Sequence, residues 1–532
     1  MVQYSLHCNS YEMFFLCVAL IPLLFIFIAH LFRKKSGGLT LYPILGFLPT
    51  LIKNRHRFHD WVVDILLTSP SATVNYHRPV GIIGLLTADP ANVEHILKTR
   101  FENYEKSPRL KFIVRDFLGS GIFNADGELW KMQRKAASYE FNTKSLRNFV
   151  VETVQSEITD RLMPILSNVS NKGVSVNLQD VLQRFAFDNI CRVAFGVDPA
   201  YLHPSLSQLA FARAFDDATE LSFGRIFYSV PFAWQIKKML NIGSEKRLRE
   251  AISVVDEFAL GIIQSRRKEI AEIQSKKSGL LRDDLLSRFM TTFGTDVSVE
   301  IEEKAVLTNK SDLFLRDMIV NFMLAGRDTS STSLTWFFWV LSSHPTVEQA
   351  IRCEIMEILA KRKECTNMDE EYDKWIVFSY EELRDMQYLH AVVCESLRLY
   401  PPVPINAKTA VQDDVLPDGR FVGKGWGVDY SIYAMGRMKS IWGEDCEEFK
   451  PERWLKNGEF VGENAYKFAA FNAGPRICMG KEMAFIQMKS VVASIVHSFS
   501  VKVEEGFVAM YTLDFNMRMK GGLPVILTKR CN

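Results

Sequence analysis

Four short stretches of this 532-residue chain bring reactive side chains together at meaningful intervals. The densest is Phe471-Asn472-Ala473-Gly474-Pro475-Arg476-Ile477-Cys478-Met479-Gly480, followed at once by a helix opening at Lys481-Glu482-Met483-Ala484. A thiolate that is to hold a metal must be presented from a loop, with backbone amides near the sulfur and little bulk around it. Gly474 and Gly480 allow the turn and the close approach of a flat ligand. The N-terminus of the following helix favours an anion, and Arg476 suits a carboxylate partner. A cysteine taken singly is more often a small buried hydrophobe; its surroundings lift Cys478 out of that class. The second stretch, Ala325-Gly326-Arg327-Asp328-Thr329-Ser330, interrupts an apolar helical run. Glycine in a helix interior costs about 1 kcal/mol relative to alanine, so Gly326 asks for a reason. Asp328 beside Thr329 is an acid–alcohol pair able to pass protons. Third come Glu395-Ser396-Leu397-Arg398 and, downstream, Pro451-Glu452-Arg453-Trp454. An E-x-x-R pair shares one helix face, and alone it is most often a surface ion pair. Fourth is Trp130-Lys131-Met132-Gln133-Arg134, which aligns an indole N–H and a guanidinium on one face.

Together and in this order the four stretches resemble the cytochrome P450 superfamily, whose haem-binding loop reads Phe-x-x-Gly-x-Arg-x-Cys-x-Gly. The resemblance implies the cytochrome P450 fold, mainly α with small β-sheets, and a haem-thiolate monooxygenase activity. It makes Cys478 the axial ligand of a haem b iron, with electron density pushed from the thiolate to favour O–O cleavage. Phe471, Gly474, Arg476 and Gly480 would then frame the haem, and Trp130 and Arg134 would clamp a propionate. Asp328 and Thr329 become the catalytic proton relay, and Glu395, Arg398 and Arg453 a buried structural triad. The chain has no Walker A loop, and Gly423-Lys424-Gly425-Trp426-Gly427 lacks dinucleotide-loop spacing. NADPH-derived electrons for O2 chemistry must therefore come through a partner, which the resemblance makes the NADPH–cytochrome P450 reductase. Lys131, Arg134, Lys135 and Lys481 are candidates for a basic docking face.

Finer features resemble the plant ω-hydroxylase branch: Phe123-Asn124 with Asp126-Gly127-Glu128, Arg327 in its Ala-Gly-Arg-Asp-Thr-Ser-Ser setting, and Tyr433-Ala434-Met435-Gly436-Arg437-Met438. The implied reaction is hydroxylation of the terminal carbon of a lipophilic chain. Weaker internal C–H bonds lie nearby, so the pocket must hold the chain end-on. Phe123, Leu324, Ala325, Val403, Ile405 and Phe515 are candidate pocket residues, together with Thr329. Two departures from the branch, Asn406-Ala407-Lys408 and Glu105 within Asn103-Tyr104-Glu105-Lys106, tilt the expectation toward the end carbon of a sterol side chain. Fatty acids or fatty-acid-derived hormone conjugates are the alternative. A hydroperoxide-rearranging haem enzyme typically lacks the acid–alcohol pair, and a non-catalytic haem protein would not need it.

These side chains need a scaffold, and the periodicity of the chain is mostly helical. Helices are expected over 145–170, 178–196, 205–220, 245–275, 311–343, 345–362 and 380–399. Strands are expected over 72–76 and 81–87 and within the last thirty residues, where Gly521-Gly522 marks a turn. No repeat or linker divides 51–532, which reads as one monomeric cytosolic domain. Met13 to Phe32 contains no Asp, Glu, Lys or Arg and is long enough to span a bilayer. Arg33-Lys34-Lys35 follows, while residues 1–12 hold no Lys or Arg, which makes 1–12 lumenal and 13–32 a single-pass anchor in the endoplasmic reticulum membrane. A cleaved signal peptide would need a basic leader and a small-residue cleavage site. The segment 33–50 reads as basic stop and hinge. Nine scattered cysteines without a C-x-x-C pair fit a reducing compartment. A net charge of +2 argues against a nucleic-acid partner, and 38 Phe supply a large core or the walls of an apolar cavity.

Overall fold

Apolar residues at helical spacing dominate the chain, and its few β-branched runs pair into small sheets. The computed structural model describes residues 34–36, 39–43, 45–79, 82–141, 144–204, 210–227, 232–276, 284–294, 307–366 and 375–530. Residues 1–12 and the expected anchor at 13–32 lie outside them. No helix among the described residues is long and apolar enough to cross a membrane. The expected hinge is partly structured: Lys34–Ser36 pairs antiparallel with Leu39–Leu41, and Leu39 is buried. The helix Leu48–Asn54, opened by Pro49 in its first turn, already crosses the boundary expected at residue 51.

From there α1 (Phe58–Leu67) leads into the hairpin of β1 (Thr73–His77) and β2 (Ile83–Thr87). Then come β3 (Tyr104–Lys106), α2 (Pro108–Leu118) and α3 (Gly127–Phe141). β4 (Val176–Asn177), α4 (Leu178–Phe195), α5 (Ala210–Gly224) and α6 (Gly243–Lys276) follow. α7 (Leu307–Met323) passes through a π-helical turn, Leu324–Asp328, into α8 (Thr329–Ser342). α9 (Pro345–Thr366), α10 (Gln387–Leu399), β5 (Ile405–Ala410), β6 (Gly427–Ser431), α11 (Lys481–Ser498), β7 (Phe499–Val503) and β8 (Pro524–Lys529) complete the set. The larger sheet runs β1-β2-β6-β5-β3, with only β2 and β6 parallel. The smaller runs β7-β8-β4. Expected and observed helices agree over most of the described residues; 205–209 of the helix expected over 205–220 lie outside them, π-helical turns at Ile158–Leu162 and Leu324–Asp328 interrupt those expected over 145–170 and 311–343, and 380–399 divides into Tyr380–Asp385 and α10. Met386 leaves helical geometry with ψ 82°, and the Glu354 carboxylate of α9 accepts the freed amides of Tyr388 at 2.7 Å and Leu389 at 2.8 Å.

The middle of the fold is α8, which packs on α4, α10, α11 and β7 and is buried on nearly every side. Its opening run, Thr329-Ser330-Ser331-Thr332-Ser333, is polar, yet several of these hydroxyls bond back to helix carbonyls. Ser331 Oγ reaches Arg327 O at 2.7 Å, Ser333 Oγ reaches Thr329 O at 2.8 Å, and Thr335 Oγ1 reaches Ser331 O at 2.7 Å.

Beside α8, α10 carries a charge cluster with no water contact. Glu395 and Arg398 side chains are both 0% exposed and form a bidentate pair at 2.7 and 2.8 Å. The same carboxylate accepts Arg453 Nε at 3.1 Å, Trp454 Nε1 at 2.9 Å and the Lys450 amide at 2.9 Å. Arg398 also donates to the carbonyls of Gly436, Cys446 (2.6 Å) and Glu448 (2.9 Å). Gly436 is required for this approach, since a Cβ there would stand 2.1 Å from Arg398 O. Removing the carboxylate strands the buried Arg398 guanidinium and takes from Arg453 one of its two carboxylate partners. Glu395→Ala is therefore expected to lose about 3–5 kcal/mol of stability, measured by denaturant unfolding; a loss no larger than that of a surface substitution would contradict this role.

Candidate active site

The cysteine loop is built by two short turns, Ala469–Phe471 and Gly474–Arg476. Asn472 takes φ 58° between them and accepts the Tyr430 hydroxyl at 3.1 Å and its neighbour Ala473 N–H at 2.9 Å. Gly474 has φ +64°, and a Cβ there would stand 2.2 Å from the Leu97 carbonyl, so no other residue fits this position without moving backbone. The Cys478 amide donates to Phe471 O at 2.8 Å, which closes the loop. Its sulfur faces a cavity of about 860 Å³. Burial pushes the thiol up, while the Gly480 amide and the charges of Arg134 and Lys481 pull it back. A metal bound here would displace the proton.

One wall of the cavity carries an unbalanced set of cations. Trp130 and Arg134 both line it from α3, and the Arg476 guanidinium lies 4.2 Å from the Trp130 ring centre. Arg476 donates to Ala125 O at 3.1 Å and to the Asp126 carboxylate. Lys111 shares that carboxylate at 2.5 Å, as does the Lys106 amide at 3.0 Å. Lys408, 2% exposed on β5, has no hydrogen-bond partner for Nζ, and Arg476 Nε is also buried without one. Burial, then the charges of Lys106 and Arg476, hold the Lys408 ammonium well below its ordinary range. Lys106 falls to about 8, chiefly through burial and then Arg476. A single carboxylate, Asp126, thus faces several cations, and two buried donors await anionic acceptors. That is the chemistry of a cradle for a flat dianion, and these residues fit a haem with its two propionates. Sequence reasoning missed Lys408 and Asp126, which lie behind this wall and set its charge. A lysine on an otherwise modest strand was the available signal.

The opposite wall is the π-helical turn. Ala325, Gly326 and Thr329 face the cavity, and Thr329 Oγ1 donates to Ala325 O at 2.5 Å. Gly326 is explained by packing: a Cβ there would meet the Ile190 side chain of α4 at 2.5 Å. Asp328 sits behind the wall and is held by Arg327 at 3.0 Å. Arg327 also binds Asp216 of α5 at 2.8 Å, and Asp216 in turn takes Arg518 at 3.1 Å. Arg518 lies 3.6 Å from both Asp514 and the exposed Glu220. Burial raises Asp328 to about 6 and Asp514 to about 7. Phe123, Val403, Ile405 and Phe515 line the cavity as expected from sequence, joined by Phe223, whose ring centre is 4.9 Å from that of Phe515. Leu324 does not. It is 0% exposed in the core, because its helical neighbour Ala325 takes the cavity face and consecutive residues point about 100° apart. Of the four basic residues expected to meet a reductase, Arg134 turns into the cavity. Lys131 is neutralised by Glu128 at 3.0 Å, whereas Lys135 is exposed. Lys481 Nζ lies 5.7 Å from the Phe471 ring centre.

The family model described as Cytochrome P450 matches residues 79–515. The chain is 48% identical over 498 residues to Cytochrome P450 94A2 of Vicia sativa, covering 92% of this chain and 90% of that protein. It is 45% identical over 502 residues to Cytochrome P450 CYP94D108 of Paris polyphylla, covering 94% and 93%. It is also 45% identical over 513 residues to Cytochrome P450 86B1 of Arabidopsis thaliana, covering 95% and 89%.

The raised Asp514 carboxyl makes a pH-dependent contribution. Its folded-state value of about 7 exceeds the ordinary 3.8, so the folded chain holds this proton more tightly than the unfolded chain. That stabilisation is complete below pH about 4 and is lost as pH rises through about 7. Asp514→Asn, which has no proton to lose, should gain on the parent across this window, by at most about 4 kcal/mol. Tm measured from pH 4 to 8 reads the difference; a gap that stays flat with pH would refute the assignment.

Proposed function

The chain belongs to the cytochrome P450 family, and on that premise we propose that it hydroxylates the terminal carbon of a fatty-acid-type chain with Cys478 as the haem ligand. As a member it is a haem-thiolate monooxygenase that receives electrons from a reductase and takes a lipophilic substrate. Bound in this cavity, the haem supplies dioxygen activation, which the thiolate promotes. The protein's part is to hold and to exclude. Gly480 and the start of α11 steady the sulfur. Arg476 and Arg134, which line the cavity with Trp130 against the Arg476 guanidinium, would hold the propionates, with the buried Lys408 ammonium behind them. Thr329 presents its hydroxyl on the cavity wall, and Asp328 behind it, held in place by Arg327, is the carboxyl that supplies protons.

The observation that carries the substrate reading is one cavity, walled by Phe123, Phe223, Val403 and Phe515, that reaches Cys478. An extended acyl chain fits such a space end-on. The preference for a sterol rested on departures at Glu105 and at 406–408. Glu105 is exposed and outside the cavity, whereas Asn406 and Ala407 line it. Both are small and uncharged and single out no sterol feature, so the resemblance to fatty-acid ω-hydroxylases decides the reading. We place the domain on the cytosolic face of the endoplasmic reticulum membrane, tethered through 13–32, beside the reductase.

Reconstitution with reductase and NADPH over a panel of fatty acids and sterols tests the substrate class. Terminal alcohols from fatty acids are expected; oxidation of sterols alone would overturn the reading. Thr329→Ala should keep the thiolate spectrum while product formed per O2 consumed falls about tenfold or more, in the range of a lost proton-transfer group. Unchanged coupling would remove Thr329 from the relay.

A further inference from the structure

We propose that Arg109 binds the carboxylate of the substrate at the outer end of the cavity, and so turns the opposite, methyl end toward Cys478. The inference rests on the terminal-hydroxylation reading and adds the group that recognises the far end of the chain.

Arg109 is the second residue of α2 and lines the cavity with an exposed side chain. Around it the cavity opens to solvent, since its neighbours on the rim, Ile82 and Phe112, are 49% and 51% exposed. The other charges there are already matched. Arg78 donates to the Tyr76 hydroxyl at 3.0 Å and to Asp429 at 3.4 Å, and Tyr76 donates to Asp429 at 2.7 Å. Lys111 is held by Asp126, and Lys106 lies in the cation wall on the haem side. Among the described residues no carboxylate stands within ion-pair distance of Arg109; partial burial and then the like charge of Arg78 push its guanidinium down, and Asp429, already held by Arg78 and Tyr76, pulls it back only from farther off. The rest of the rim is apolar, from Leu48, Leu51 and Pro79 to Phe232. A lipophilic chain carrying one anion therefore finds at the mouth a cation with no ion pair of its own, while Arg225 beside the phenylalanine walls is already held by Asp116 and Glu245.

A guanidinium in this half-open setting orients more than it binds. A partly hydrated pair of this kind is worth about fivefold in affinity. Its effect on position is larger, because fixing one end of an extended chain fixes which carbon arrives at the other. The same cation would also attract the phosphate of a lipid headgroup, so the test separates the two sources of anion.

The experiment uses the full-length holoenzyme in detergent, with substrate-induced spectral titration of dodecanoic acid and of its methyl ester. Arg109→Gln is expected to weaken the acid about fivefold, to leave the ester unchanged, and to spread hydroxylation from the terminal carbon to internal ones. Arg109→Lys should restore part of the affinity. A parallel arm measures binding to phosphatidylcholine vesicles with and without phosphatidylserine. If Arg109→Gln alters only the vesicle arm, the site serves lipid phosphate and the proposal falls. If acid and ester respond alike, it also falls. If the parent enzyme oxidises neither compound, the terminal-hydroxylation reading fails first; if parent and variant oxidise the acid at the same carbon with the same affinity, only the Arg109 assignment fails.

Discussion

A carboxylate buried beyond reach of water is tolerable only when every lone pair is engaged, and Glu395 is the point from which the catalytic half of this molecule is hung. Its partners come from α10 itself and from the loop that carries Lys450, Arg453 and Trp454. Trp454 then packs edge-on against Phe468 at 4.7 Å, three residues before the cysteine loop turns at Phe471. The charge cluster performs no chemistry. It sets where the backbone stands when it reaches the sulfur, and the loop's own glycines complete the placement.

The cavity divides the electrostatic labour between its walls. On the loop side positive charge exceeds negative, with Lys408 and Arg476 Nε left without acceptors. On the helix side carboxylates and guanidinium groups alternate from Asp328 outward to Glu220. The first arrangement is stable only with an anionic occupant. In the second, burial raises Asp328 to about 6 and Asp514 to about 7 against the pull of the guanidinium groups, so that protons can be held and released within the working pH range. Between them the walls are mainly aromatic and aliphatic, and Arg225 there is already paired with Asp116 and Glu245.

What the sequence disclosed and what it hid follow from how local each feature is. The cysteine loop, the E-x-x-R pair and the Trp130–Arg134 face are contiguous patterns, so their members were legible together, and helix extents followed from periodicity. Features that arise between distant segments were not. Lys408 was grouped with a substrate motif because its burial depends on Lys106 and Arg476, which lie far off in the chain. Asp216 and Arg518 join Arg327 only through the packing of α5 and the C-terminal loop. The break at Met386 depends on a carboxylate from α9. Leu324 was misplaced for a subtler reason, since a π-helical turn shifts which residues face the cavity and no apolar pattern announces it.

That turn has a consequence for how this lineage can change. Leu324–Asp328 holds one more residue than an α-helical turn would, and it sets the rotation of everything after it. Losing or adding one residue there would rotate α8 by about 100°, and α8 has almost no solvent-facing side to absorb the error. A single insertion or deletion would thus drive Trp336, Phe337 and Phe338 out of their sockets while turning Thr329 away from the cavity. The register of the Thr329 hydroxyl is locked to a helix buried on nearly every side. Variation in what the enzyme accepts is therefore channelled into side-chain replacements along the walls and rim, where nothing behind them has to turn.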